Sequence, residues 1–221
     1  MKKTIFIVLL LVSTTALFAQ EKKKTVPATP KTTLQRKEPK AASPSSPLHE
    51  TAEPAPDPAM VAMMEYMKPS KYHKQLSLAA GEWKEEIEMW TSADAPVKRY
   101  SAMCVVSMIL GDLYQETIHS GNFDGKEFYG RGIIGYDNAI NKFVSTWIDN
   151  MGTGIMYTEG TYDAESGTTT FRGEVVDPVL KMKVRVREVM IPKSENMQVF
   201  EMYVTPPGKE EYKSMQITMT R

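Results

Sequence analysis

A closed antiparallel β-barrel of about ten strands, entered through one or two short helices, is the fold class this 221-residue sequence predicts. Three observations predict it. From Glu82 onward, apolar and polar residues alternate with period two. Turn residues interrupt that alternation about every 10 to 12 residues, as in sandwiches and barrels. No helix-length connection separates the runs, so the strands follow one another as an up-and-down meander. A flat meander of that length exposes two long unpaired edges, and closure removes them. At this strand number a barrel encloses more space than its own side chains fill, whereas about eight strands is the filled case.

The elements can be justified in chain order. MKKTIFIVLLLVSTTALFAQ places Lys2 and Lys3 before an apolar run from Ile5 to Val12 and a small-residue junction at Ala19, the pattern of a secretory signal peptide over residues 1–19. The run falls short of the about 20 apolar residues that span a bilayer, and no cysteine follows the junction to take a lipid. The mature chain is therefore expected to be exported, periplasmic or secreted, with no transmembrane segment.

Residues 20–59 hold eight of the chain's 14 prolines, with no glycine and no aromatic residue. A segment so poor in apolar surface cannot offset its ordering entropy, and it reads as a stiffened disordered linker. From Met60 onward lie all 13 glycines, all 10 tyrosines and all 3 tryptophans, within a length suited to one domain. That part carries 18 basic and 22 acidic side chains. A nucleic-acid binder carries a basic stripe and net positive charge, so no nucleic-acid partner is expected. The single cysteine, Cys104, allows no intrachain disulfide, and its apolar setting AMCVVSM reads as a buried, inert thiol.

The helical lead-in covers residues 60–80. MVAMMEYM sets Met60, Met63, Met64 and Met67 on one helical face. A thioether set suits copper(I), but the preferred reading is a pliable face packed onto the domain. Pro69 breaks this helix, and Ser70 caps a second one that runs to Ala80 and ends at Gly81. The barrel then occupies residues 81–221, with strands expected at 82–91, 97–108, 112–119, 126–136, 142–149, 154–162, 168–176, 180–191, 197–204 and 210–220. In the first strand Trp83, Ile87 and Met89 share a face with Glu85. In the last, Met215, Ile217 and Met219 share one with Arg221. If first and last strands pair, the Arg221 guanidinium can cover Trp83 as a cation–π partner.

Gly81-Glu82-Trp83 resembles the Gly-x-Trp that opens the first strand of lipocalin-like (calycin) barrels, where the tryptophan plugs one end beneath a late arginine. Over roughly residues 60–221 the chain resembles the bacterial domain-of-unknown-function family number 1579. The matching stretches are KPSKYHKQLSLAAGEW, GRGIIGYDNAINKFVSTWIDNMGTGIMYTEGTYD, GEVVDP and EMYVTPPGKEEYKSMQITMTR. The stretch MCVVSMILGD departs from the family's more polar, glycine-containing approach to the second turn. The resemblance implies a calycin-type barrel with no agreed activity, and gives Gly81, Trp83 and Arg221 structural roles.

Polar residues on the enclosed face are the informative ones, because a buried ion must pair, neutralise or meet a ligand. Trp147 and Asp149, Tyr157 and Glu159, and Glu201 and Tyr203 share faces in their strands, and either face of each strand can line the cavity. In KMKVRVRE, Arg185 and Arg187 either lie in a solvated exterior stripe or point inward to clamp a ligand carboxylate, with Glu201 as counter-ion. These eight residues are the candidate ligand-binding set. His73 and His119 show no metal-ligand spacing, no nucleophile elbow is present, and GRGIIG lies in a strand pattern rather than before a helix. No metal, cofactor or catalytic residue is assigned.

The leading expectation is a binding module for a small apolar or amphipathic, lipid-like molecule, with or without an acidic head group. A haem-binding or enzymatic barrel using His119 or the carboxylates near Trp147 is one alternative. A protein-interaction module on a Pro-rich tether is the other.

Overall fold

The computed structural model describes residues 56–221. The signal-peptide reading of residues 1–19 and nearly all of the Pro-rich segment lie outside the described residues.

Helix α1 spans Pro58–Tyr66 and is N-capped by Asp57, whose carboxylate accepts from the amide of Ala59. Pro58 sits at its first position, where a missing N–H costs nothing. The expected packing of its methionine face is corrected: Met60, Met63, Met64 and Met67 are all more than half exposed. What ties this segment to the barrel is polar. The Asn138 side-chain amide donates to the carbonyls of Tyr66 and Lys68.

Helix α2 spans Lys71–Ser77 behind a reciprocal capping box, in which Ser70 Oγ accepts from the Tyr72 amide and His73 Nδ1 accepts from the Ser70 amide. It stops three residues before the expected Ala80. The carbonyls released there are taken by side chains from the barrel: Trp83 Nε1 donates to Ala79, and Arg221 donates to Ala80 and Leu78. Leu78, Ala79 and Ala80 lie beyond the helix, whose own last carbonyls, on Gln75, Leu76 and Ser77, accept from the amides of those three residues in i→i+3 bonds that tighten its end. Gly81, at φ +137°, then redirects the chain into the first strand, a backbone conformation that side chains disfavour.

Ten strands follow: β1 Gly81–Met89, β2 Lys98–Ile109, β3 Tyr114–Phe123, β4 Lys126–Asp137, β5 Lys142–Asp149, β6 Met156–Asp163, β7 Thr168–Asp177, β8 Met182–Ser194, β9 Met197–Thr205 and β10 Tyr212–Thr220. Each pairs antiparallel with its sequence neighbours. β1 closes on β10 from Lys84 opposite Thr220 to Met89 opposite Met215. The closed up-and-down barrel read from the sequence is therefore the fold. One strand differs materially: β3 runs four residues past His119, because Ser120, Gly121 and Asn122 stay in the ladder opposite Met103, Ala102 and Glu127. Small polar residues that resemble a turn are held extended by neighbours on both sides. The β8–β9 ladder shifts register between Pro192 and Ser194, where proline has no N–H to contribute.

The two ends of the barrel are unlike. At the floor, Leu76 of α2 packs with Ile134, Phe143 and Phe171, and Tyr72, Tyr136 and Tyr162 gather around them. Trp83 (2 % exposed), Cys104, Val106 and Met219 fill the adjoining sector. The other end is lined by longer loops, and there the interior is hollow.

Candidate functional site

The interior holds a cavity of about 790 Å³ that reaches solvent past the exposed residues Pro96, Lys98, Asp124, Val176 and Pro178. Period-two alternation decides what it contains, since closure commits one face of every strand to the inside.

One wall is a continuous aromatic run descending from the mouth. Tyr100 stacks on Phe123 at 4.6 Å between ring centres, Phe123 on Phe128 at 4.4 Å, and Phe128 on Trp147 at 6.4 Å. Trp147 meets the edge of His119 at 5.0 Å. The sequence positions the indole through glycine. A Cβ on Gly130 would lie 2.4 Å from two Trp147 ring carbons, and one on Gly132 would lie 2.7 Å from Thr117 Oγ1. The GRG of β4 is thus the bed in which Trp147 lies. Asp149 fixes the ring, accepting from Trp147 Nε1 at 2.7 Å and from the amide of Met151 at 2.8 Å. The facing wall is aliphatic and thioether: Met156, Val175, Val184, Met202 and Val204 pack together, with Met215 and Ile217 alongside.

Few polar groups interrupt these walls. Glu188, 4 % exposed, accepts from Thr158 Oγ1 at 3.1 Å. Burial pushes its carboxyl up to about 7, and the Thr158 hydrogen bond offsets only part of that rise. Asp177, 2 % exposed, accepts through Oδ1 from the amides of Val179 and Leu180, while Oδ2 has no partner. Deeper, Glu85, His119 and Cys104 form a buried cluster. At the mouth, Asp124 accepts from Lys98 Nζ at 3.0 Å and from Tyr100 OH at 2.9 Å.

Of the eight residues singled out from the sequence, Trp147 and Asp149 line this cavity. The other six face outward, which corrects any inward reading of them. Tyr157 and Glu159 lie in a shallow external depression, where Lys142 donates to Glu159 at 2.6 Å and holds its carboxyl below the usual range. Arg187 donates to Glu211 and lies 3.9 Å from the Tyr203 ring centre, outside the barrel. Glu201 accepts from Tyr203 OH at 2.8 Å and from Lys213 at 2.5 Å. Arg185 is exposed between Glu174 and Thr205. The reason is register: Val184 and Val186 on β8 and Met202 and Val204 on β9 take the inside, and alternation sends their charged neighbours out.

Sequence reasoning passed over Glu188 and Asp177, and it weighed His119 and Cys104 singly without bringing them together with Glu85 in one cluster. Glu188 carried a readable signal, a carboxylate interrupting the apolar row Val184, Val186, Met190. The cluster carried none, because three neighbouring strands bring its members together.

A plugged floor, a closing β1–β10 ladder with Trp83 beneath Arg221, and an open hollow end define a calycin-type barrel. The chain belongs to the family described as "Protein of unknown function (DUF1579)", whose model matches residues 68–221. Among solved structures it is similar to the S-type phycobiliprotein lyase CPES from Guillardia theta, with a TM-score of 0.50 and 11% identity over 72% of this chain and 96% of that one. A redesigned β-barrel matches with a TM-score of 0.35 and 13% identity over 66% of this chain and 93% of that one. The first likeness shows the fold. No curated protein sequence matches the chain.

Proposed function

We propose that this protein is an exported binding module whose barrel holds a small, mostly apolar molecule. The observation that carries the reading is the cavity of about 790 Å³ between the aromatic wall from Tyr100 to Trp147 and the Met/Val wall opposite. Pockets of roughly 300–1,000 Å³ with apolar walls and a few placed polar groups are the usual form of a small-molecule site. The flat rings suit a planar or elongated ligand.

The polar groups set its head-group chemistry. Glu188, Asp177 and Asp149 are hydrogen-bond acceptors or acids, and the arginines that would receive an acidic head, Arg185 and Arg187, lie outside. A ligand end bearing N–H or O–H donors, or a cationic amine, therefore fits better than a carboxylate. The haem alternative has less support. His73 is engaged in the α2 capping box, and the two ring nitrogens of His119 face Glu85 and Cys104.

Export rests on residues 1–19, and the Pro-rich segment that follows is read as a tether. N-terminal sequencing of the mature protein should begin near Gln20; an intact Met1 would remove export from the proposal.

The binding reading is tested with N-phenyl-1-naphthylamine, whose fluorescence rises in an apolar site. Saturable uptake at one equivalent, displaced by dodecylamine more strongly than by dodecanoate, is the expected result. Native mass spectrometry of protein from its own host should show a co-purifying small molecule. Failure of the probe to bind, with no co-purifying species, would refute the reading.

A further inference from the structure

At the base of the cavity, three side chains of different donor chemistry converge from three adjacent strands. Trp83, Cys104 and His119 are register partners across β1, β2 and β3, and Glu85 lies one inward position further along β1. Cys104 Sγ is 3.6 Å from His119 Nε2, and His119 Nδ1 is 3.1 Å from Glu85 Oε2. One donor atom from each of the three lies within 4.8 Å of the others. Cys104 is fully buried, Glu85 is 2 % exposed and His119 8 % exposed. The second oxygen of Glu85, Oε1, has no hydrogen-bond partner although it is buried. An unpartnered buried carboxylate oxygen is costly, and native structures retain one for a reason.

We infer that Glu85, Cys104 and His119 form a three-donor site for a divalent transition-metal ion of the zinc class, with a fourth position turned toward the cavity. The donor set is the first support. Thiolate, imidazole and carboxylate are the three ligand types that zinc takes, and sites with three protein ligands keep an open fourth position. Spacing is the second. Zinc–sulfur and zinc–nitrogen bonds of about 2.3 and 2.0 Å at a tetrahedral angle place the two donors roughly 3.5 Å apart, close to the observed 3.6 Å. Glu85 Oε2 faces Nδ1, the ring nitrogen opposite the one that faces Cys104, so joining the same shell requires its flexible side chain to leave that contact and swing toward Nε2, within the 4.8 Å that already spans the three donor atoms.

Charge is the third. A dication with one thiolate, one carboxylate and a neutral imidazole makes a centre of zero net charge, suited to the apolar surroundings of Trp83, Val106 and Met219. Metal binding displaces the Cys104 proton to solvent and supplies the positive charge that holds the thiolate. A ligand donor entering from the cavity would complete the coordination.

The site is tested on the purified mature chain, stripped with a chelator and titrated with Co²⁺ alone. A thiolate-to-cobalt charge-transfer band and the ligand-field bands of a four-coordinate ion, saturating at one equivalent, are expected. Cys104→Ser should abolish the charge-transfer band, and Glu85→Gln should weaken binding by about tenfold or more. Far-ultraviolet circular dichroism checks that each variant is folded; should Cys104→Ser unfold, Glu85→Gln decides. Absence of the band in folded wild type, or a Cys104→Ser titration identical to wild type, overturns the assignment. N-phenyl-1-naphthylamine binding by metal-free protein reports the cavity separately, so either reading can fail while the other stands.

Discussion

The Arg221 guanidinium lies 4.4 Å from the Trp83 ring centre while donating to the carbonyls of Ala80 at 2.8 Å and Leu78 at 3.3 Å. One side chain from the last residue thus binds the end of α2 and covers the aromatic that opens β1. Trp83 itself donates to Ala79, so the floor is a joint between helix, first strand and C-terminus. Arg221→Ala removes the cation–π contact and two carbonyl partners that water can only partly replace. A loss of about 1–2 kcal/mol is expected in urea denaturation. Arg221→Lys should recover less than half of it, because an ammonium cannot both stack and fork. An unchanged midpoint in Arg221→Ala would show that the floor does not depend on this joint.

The Trp147 bed makes a second prediction. A methyl at Gly130 meets the indole at 2.4 Å, and both flanking strands are held in the ladder, so the ring must move rather than the backbone. Gly130→Ala should cost about 1–3 kcal/mol and should shift the tryptophan emission spectrum as the ring leaves Asp149. Adding Trp147→Leu should return part of the lost stability. Strict additivity of the two substitutions would show that ring and glycine are not coupled.

These two relationships mark how far the sequence could be read. Strand number and most boundaries follow from period-two patterning and turn chemistry, which are local; closure follows from the cost of two open edges, and the Trp83–Arg221 pair from closure. The choice of inner face does not. On β5 the Phe143, Ser145, Trp147, Asp149 set turned inward, whereas on β6 and β9 the Tyr157/Glu159 and Glu201/Tyr203 sets turned outward. Each has aromatic and acidic members, so composition alone separates them poorly. What separates them is the cross-strand partner: Ser145 opposite Thr158, and Glu188 opposite Met202. The Glu85–Cys104–His119 cluster needed two registers at once, and no spacing along the chain encodes those.

The exterior arginines give a third prediction by contrast. Arg187 pairs with Glu211 and stacks on Tyr203 outside the barrel. Arg185→Ala and Arg187→Ala should therefore leave N-phenyl-1-naphthylamine affinity within about twofold of wild type, a difference of under 0.5 kcal/mol. Arg187→Ala alone should lower stability, through the lost ion pair and stacking. A large loss of probe affinity in Arg185→Ala would contradict the outward placement.

Glu188 supplies the pH dependence. Its folded-state value is raised from 4.5 to about 7 by burial, so between those values the native protein holds a proton that the unfolded chain has released. Stability must then fall as pH rises through that window and level off above it. The full drop is on the order of 3 kcal/mol, from about 1.4 kcal/mol for each unit of displacement. Thr158 donates to the carboxylate from β6, while Phe171 and Met202 are its register partners on β7 and β9, so no basic group on those strands compensates the charge. Glu188→Gln keeps a group able to accept from Thr158 and carries no charge at any pH. It should flatten the stability profile between pH 5 and 8 and be the more stable protein at the upper end. Dodecylamine affinity in wild type should rise over the same interval as the carboxylate forms, and Glu188→Gln should abolish that rise. A wild-type profile that climbs from pH 5 to 8, or an unaltered one in Glu188→Gln, would show that this carboxyl titrates with the solvent-exposed acids instead.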